Sequence, residues 1–541
     1  MRQCRHCRRS LGRRQVRATG LGTMAELARD RSGSSVIMFS LSFAAVMFAT
    51  AMAIDYGRAE IERMHMQRAL DAAALAAAHQ LGQVDQDAKA RAAAEAYFRV
   101  NSPAGAQGHI DSLVLDAQKG EVTMTAAGRS LTSLLNAFGI NTIALGVGSR
   151  VSKGDGTVEV ALVLDNSGSM GGQPIIDLRT AARDLVDRVY GGVEDNDKVS
   201  VGVIPFAGSV NVGSANRNSG WIDTTGLSPV HFENFAEQRT RFDLFSTMGV
   251  GWRGCVEARP APHDTQDTIP AEANPATLFV PMFAPDEPDS GNDDGNSYPN
   301  SYLDDFGGSC PPPPQVCLRW STRNPGTCRQ WGPEPIAAAT AQARTCKYDS
   351  ATPSGAGPNS GCTTQPIQPL TRYKSDAVAT IDLMQANGNT NIGEGVMWGW
   401  RVLSPELPLT EGRSSDDRNN QKFMVVMTDG QNTYQANNNH NRSSYGAFAY
   451  AVKNRLGANY SSSALVAQMD TKTSTACSAA KVQGITIYTI AFRLESDPAT
   501  LSLLRGCASG PEKAYRASDG QALIQIFQAI GREIAQLRVS S

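Results

Sequence analysis

The sequence contains no G-x-S-x-G elbow, no P-loop, no H-E-x-x-H and no Cys–His pair of obvious spacing. The usual signatures of hydrolases, nucleotide-driven enzymes and zinc proteases are missing, so the chain does not read as an enzyme. Net charge is also scarce. Fifty Lys and Arg against 52 Asp and Glu leave −2 over 541 residues, which excludes a general affinity for nucleic acid. Cysteine is absent between Cys7 and Cys255, and the remaining eight all lie after residue 250. An even number there points to disulfides and an oxidising compartment. Long apolar runs are rare as well: there is one.

That run is Val36–Ile54, 19 residues without a charge. At 1.5 Å per residue it just crosses a bilayer core of roughly 30 Å. The first 31 residues hold nine Arg against Glu26 and Asp30. By the positive-inside rule, a basic tail over 1–35 is cytoplasmic and everything after Asp55 lies beyond the membrane. Ala49-Thr50-Ala51 has the form of a signal-peptide cleavage site, but the run is long for that and its helical pattern continues past Ile54. An uncleaved anchor over 36–54 is the expectation. Cys4, His6 and Cys7 either form half a zinc site or belong to a stretch that is not made, translation starting at Met24.

Beyond the anchor, 55–105 reads as an Ala-rich helical region, with one helix over Asp55–Gln83 and a second over Ala88–Val100. Small residues let helices approach closely, so the two form a hairpin, dock a similar partner or stand as a stalk. Over 106–152, a hairpin (Ser112–Ala117 with Glu121–Ala126), a short helix and a strand predict a small α+β module.

The rest is organised around Val158–Gly171, VEVALVLDNSGSMG. A short apolar run bounded by turn signals predicts a strand buried on both faces. A helix follows, with Leu178, Ala182, Leu185 and Val189 at helical spacing. Between them Asp165, Ser167 and Ser169 put three oxygens on one turn, with no His or Cys. That chemistry suits a hard cation such as Mg²⁺. Three oxygens do not fill an octahedron, and two further candidates lie downstream: Thr390 in GNTNIGEG, and Asp429 at the end of FMVVMTDG.

Together these residues resemble the metal-ion-dependent adhesion site of von Willebrand factor type A (VWA) domains: Asp-x-Ser-x-Ser, a distant Thr, a distant Asp. The resemblance implies an α/β, Rossmann-like fold, a mostly parallel sheet flanked by helices. It also implies that Ser167, Ser169 and Thr390 touch Mg²⁺ (or Mn²⁺ or Ca²⁺), that Asp165 and Asp429 act partly through water, and that a protein partner offers an acidic side chain to the open position.

Such a domain would be split here, with a first part over 153–213 and a second over 365–541. The intervening 214–364 is Pro-, Asn- and Cys-rich and has no periodic pattern. It reads as an insertion that buries little core and depends on disulfides among Cys255, Cys310, Cys317, Cys328, Cys346 and Cys362, which allow fifteen pairings. Trp252, Trp320 and Trp331 are expected to anchor it, and Asp286–Asp294 to be a solvated acidic loop. By the VWA analogy the insertion lies near the metal face. Gln431–Ser444, with His440, is expected at its rim, and Cys477 is expected to bond Cys507 across the strand at Ile485–Phe492.

A second resemblance covers the other end. Arg-rich residues, Gly33, one membrane helix, Asp55-Tyr56-Gly57-Arg58 and an Ala-rich helix with Asp71-Ala72-Ala73-Ala74 are similar to the N-termini of TadG-like Flp (Tad) pilus-assembly proteins, which carry a C-terminal VWA domain. The two resemblances imply a single-pass inner-membrane protein, mostly periplasmic, that binds other pilus-assembly components through its metal site. A surface adhesin using the same site for host or matrix ligands is the alternative, and a hydrolase a remote one.

Overall fold

The computed structural model describes residues 34–78, 80, 86–116, 121–152, 156–289, 296–355, 357–417 and 419–540. The basic tail, with Cys4, His6 and Cys7, lies outside the described residues. The chain divides into two compact units, 1–153 and 154–541.

In the first unit, α1 (Ser34–Ala78) is one continuous helix. Its apolar first half is exposed from Val36 to Met47, whereas Met66, Leu70, Ala73, Ala74 and Ala77 are fully buried. They pack with Ala90, Ala94 and Phe98 of α2 (Gln86–Asn101). The same core takes in the antiparallel sheet β1 (His109–Asp116), β2 (Glu121–Leu131) and β3 (Thr142–Ser152) through Val122, Met124, Ala126 and Leu145. Alternation in β2 puts its even-numbered residues inward. The Ala-rich helices and the α+β module therefore share one core, and the helices are no free-standing stalk.

The second unit is built on β4 (Thr157–Asp165), followed by α3 (Gln173–Tyr190), β5 (Val199–Phe206) and the short β6 (Val210–Asn211). Next come α4 (Arg241–Thr247), β7 (Cys255–Val256), a separate two-stranded ribbon of β8 (Gln315–Trp320) and β9 (Cys328–Pro333), and α5 (Ala338–Ala343). The chain then re-enters the sheet as β10 (Gln368–Thr371), and continues through α6 (Lys374–Leu383), α7 (Ile392–Leu403) and β11 (Asn420–Thr428). It ends with α8 (Ser462–Val482), β12 (Thr486–Phe492), α9 (Pro498–Cys507), β13 (Ala514–Ala517) and α10 (Gly520–Ser540).

Strands β13, β12, β11, β4 and β5 lie side by side and all parallel, with β10 antiparallel on β5. Setting the insertion aside, the spatial order is third, second, first, fourth, fifth, sixth. In this doubly wound order the crossovers reverse between first and fourth strands, and ligands bind at the carboxyl ends there. Those strands are β4 and β11, whose ends carry Asp165 and Asp429. The α/β, Rossmann-like arrangement expected from the sequence is the one the chain adopts.

One sheet face packs on α3, α6 and α10 through Leu162, Leu164, Val425, Leu178, Leu185 and Phe527. The other packs on α7, α8 and α9. Every residue of α7 is buried. Two glycines bring it close to the sheet: a Cβ on Gly395 would lie 2.8 Å from the Phe206 ring, and one on Gly399 2.6 Å from Val163 Cγ2.

The insertion departs from expectation. Trp221, Phe242, Phe245, Phe279, Phe283 and Tyr348 belong to the same core as Val163, Phe206 and Trp398. It packs by aromatic side chains from irregular loops and from the seven-residue α4, which are too short or too irregular to carry a readable period. Trp252 is buried as expected, but Trp320 and Trp331 are exposed. Asp286 and Glu287 are buried rather than solvated, and Asp286 pairs with Lys347 at 2.7 Å. The disulfides are Cys255–Cys362, Cys310–Cys346, Cys317–Cys328 and, as expected, Cys477–Cys507.

Candidate functional site

Asp165 is the last residue of β4 and is fully buried. Its Oδ1 accepts from the Ser167 N–H at 2.7 Å, which fixes the turn, and its Oδ2 accepts from Thr428 Oγ1 at 2.6 Å, which ties β4 to β11. Ser167 Oγ lies 3.0 Å from Ser169 Oγ, and Ser169 Oγ donates to Asp429 Oδ1 at 2.6 Å. Four of the five expected residues thus form one hydrogen-bonded chain across 260 residues of sequence.

Thr390 joins them at Gly430. A Cβ there would sit 3.7 Å from Ser169 Oγ and 3.9 Å from Thr390 Oγ1, so the two hydroxyls flank this glycine. The Thr390 loop is held on several sides. Gly168 N–H donates to Gly388 O at 2.9 Å, and Asn391 N–H to Ala207 O at 2.9 Å. Thr390 N–H donates to Thr433 Oγ1 at 2.7 Å. Asn391 caps α7 by accepting from Glu394 N–H, and Asn432 Oδ1 accepts from Ile392 N–H at 2.8 Å.

The donor set is two carboxylates and three hydroxyls, with no nitrogen or sulfur, which fits a small hard cation. Among the described residues no three His, Cys, Asp or Glu are gathered to hold a metal, so such a site would rely on its hydroxyls. Burial pushes the Asp165 carboxyl up to about 6 despite its hydrogen bonds, and burial also raises Asp429. Asp165 has no ion-pair partner among the described residues, whereas the half-buried Asp429 feels the charge of Arg493. A buried carboxylate without a counter-charge is costly, and a bound cation would remove that cost.

The insertion borders this site. Thr363 Oγ1 donates to Asn387 O at 3.0 Å, and Ser209 Oγ to Gly361 O at 2.9 Å. A cavity of about 500 Å³ opens beside the Thr390 loop, lined by Asn387, Gly388, Asn389 and Gln435 and, from the insertion, Arg253 and Ser360. His440 Nδ1 lies 2.8 Å from Tyr298 Oη of the insertion, which makes it part of that packing. Thr428 and Asn432 were not singled out from the sequence. Thr428 directly precedes Asp429 in FMVVMTDG; Asn432 sits in an Asn-rich loop that hides it.

In the first unit, the Asp-Tyr-Gly-Arg stretch has a definite task. Asp55 is buried and accepts from the N–H groups of Ser133, Leu134 and Leu135 at 3.0, 2.8 and 2.7 Å. Arg58 donates to Ser133 Oγ. Residues 33–80 match the family model described as putative Flp pilus-assembly TadE/G-like. This segment is TadE/G-like. Its boundary carboxylate clamps the turn before β3 onto the helix that leaves the apolar stretch.

Similar solved structures include the pilus adhesin SpaC from Lactobacillus rhamnosus GG, at 11% identity and TM-score 0.31, covering 81% of this chain and 36% of that one. The vWF domain of the type V pili tip protein Mfa5 from Porphyromonas gingivalis is 10% identical with TM-score 0.31, covering 70% and 95%. The PilB minor pilin from Streptococcus sanguinis is 12% identical with TM-score 0.32, covering 80% of each chain. The chain thus spans about a third of the length of SpaC. No curated protein matches the chain.

Proposed function

We propose that this chain is a membrane-anchored component of Flp/Tad pilus assembly, and that it binds a protein partner through a divalent cation held by Asp165, Ser167, Ser169, Thr390 and Asp429. The observation that carries this reading is the hydrogen-bonded oxygen cluster at the switch point of the sheet, with a buried Asp165 carboxyl that has no counter-charge. Mg²⁺, or Mn²⁺ or Ca²⁺, would supply the charge that draws an acidic side chain of the partner. The chain's own part is to hold the oxygens: Thr428 and the Ser167 N–H fix the Asp165 carboxylate, and Thr433 and Asn432 fix the Thr390 loop. The reading is of binding, not catalysis.

The TadE/G-like segment and its exposed apolar half support anchoring by Val36–Ile54. The candidate spanning helix and the four disulfides support a tail in the cytoplasm and a bulk outside it, at the inner membrane.

Thermal unfolding of the full chain in detergent, with Mg²⁺ and with chelator, tests the metal site. A ligand at a hundredfold its Kd that binds only the folded state adds about 2.7 kcal/mol. The midpoint should rise with Mg²⁺ and stay fixed in Ser169→Ala, which alters one hydroxyl and spares Asp165. An equal rise in the variant, or none in the parent, would overturn the metal assignment.

A further inference from the structure

Ribbon β8–β9 stays out of the core that takes up most of the insertion's aromatics. Of the six tryptophans, Trp221, Trp252, Trp398 and Trp400 are buried, while Trp320 is 59% and Trp331 65% exposed. Leu318 beside them is also exposed. An indole is among the most rewarding side chains to bury, so two left in water on one small element mark a surface that meets something.

The ribbon is built to hold them. Trp331 lies directly opposite Cys317 and Trp320 directly opposite Cys328, and those two cysteines are bonded to each other. Each indole therefore stands cross-strand from one half of the staple. At the base, Cys310–Cys346 fixes the entry, and Pro311–Pro314 follow as a stiff run. Glu334 N–H donates to Pro314 O at 2.8 Å, closing the arm. A two-stranded ribbon is marginal alone in water; the disulfide supplies what a core would.

Charge on the arm has one sign. Arg319, Arg323 and Arg329 are all exposed, and no Asp or Glu occurs from 311 to 333. We propose that β8–β9 docks on an anionic phospholipid surface, its indoles at headgroup depth and its guanidiniums on lipid phosphates. Tryptophan favours that layer, and basic residues are drawn to anionic lipid. A narrow two-stranded ribbon can lie along a plane. The same chain carries a helix long and apolar enough to cross a bilayer.

The test uses the full chain in nanodiscs whose acyl chains are brominated, made either of phosphatidylcholine alone or with phosphatidylglycerol. The apolar helix contains no Trp, so it adds no emission. With phosphatidylglycerol, up to about a third of the emission, the share of two tryptophans in six, should shift to the blue, be quenched by bromine and be shielded from acrylamide. In W320A/W331A that component should vanish, which assigns it. In R319Q/R323Q/R329Q, which keeps both indoles, quenching should fall at least severalfold. The unfolding midpoint of each variant reports that it is folded. Equal quenching in the two lipids, quenching that survives loss of the arginines, or two tryptophans still open to acrylamide in anionic discs would each overturn the proposal.

Discussion

The two faces of the central sheet are covered in different ways. On one, α3, α6 and α10 bury aliphatic side chains at helical spacing, and the core they form is apolar. On the other, the insertion carries charge inward. Arg241 and Glu257 are both fully buried and paired, and Arg455 reaches Glu257 from the far side at 2.7 Å. Asp223 and His231, both buried, lie 2.8 Å apart. Arg259 and Arg401 stand over Phe279 at 4.8 and 4.9 Å. The plain face needs only shape. The insertion face needs every charge to keep its partner, because desolvation has already been incurred.

The largest effect should therefore come from one atom change on the charged face. Glu257→Gln keeps volume and removes the charge that both Arg241 and Arg455 face. Breaking a buried pair leaves an uncompensated cation, at about 3–5 kcal/mol, which denaturant unfolding of the full chain in detergent would read. A loss under about 1 kcal/mol, the surface-pair range, would mean that water reaches the cluster and that the two faces differ less than their burial indicates.

A smaller loss should follow where the insertion-side helix meets the sheet. Gly399→Ala places a methyl 2.6 Å from Val163 Cγ2. Overpacking of this kind costs typically about 1–3 kcal/mol, because α7 must lift or Val163 must turn. Since α7 carries Asn391 as its cap and follows Thr390, lifting it should also weaken the Mg²⁺-dependent rise in the midpoint. A stability loss with an unchanged Mg²⁺ response would separate the helix seat from the site.

The contrast between the faces also explains what could be read beforehand. The plain face was legible because Leu178, Ala182, Leu185 and Val189 repeat at helical spacing and Val158–Leu164 is apolar but for Glu159. The candidate site was readable for a related reason: Asp165, Ser167, Ser169 and Asp429 sit at the ends of such runs, where a strand must stop and a polar turn begin, and Thr390 stands just ahead of a helix. The insertion was not. Trp221, Phe279 and Phe283 come from turns, bridges and irregular chain, and Phe242 from a seven-residue helix too short to show a period, so nothing local distinguishes a buried aromatic from an exposed one. Trp252 and Trp320 looked alike in sequence and ended at opposite extremes of burial. Strand β10 was missed because four residues with a Pro, Gln368-Pro369-Leu370-Thr371, carry no alternation. Gly395 and Gly399 have their reason only in the sheet beneath them, which leaves no room for a Cβ.

The smallest expected effect lies at the junction of the two faces, where Asp165 ends β4. Its carboxyl is raised from an ordinary 3.8 to about 6, with burial as the largest cause. A carboxyl raised in the folded state binds its proton more tightly there than in the unfolded chain. Without metal, its stabilising contribution is therefore full below pH 4 and is lost as pH rises through 6. A cation needs the ionised form, so proton and metal compete. Mg²⁺ affinity, read from the midpoint rise across a titration, should be level above pH 7 and fall by up to about tenfold per pH unit below 6, the limit for one displaced proton. Thr428→Val removes the hydroxyl that donates to Asp165 Oδ2 and leaves the carboxylate less supported. The onset of the fall should then move above pH 6. An onset near pH 4 in the parent would mean that Asp165 is solvated in the folded protein and that the turn is open to water on its sheet side.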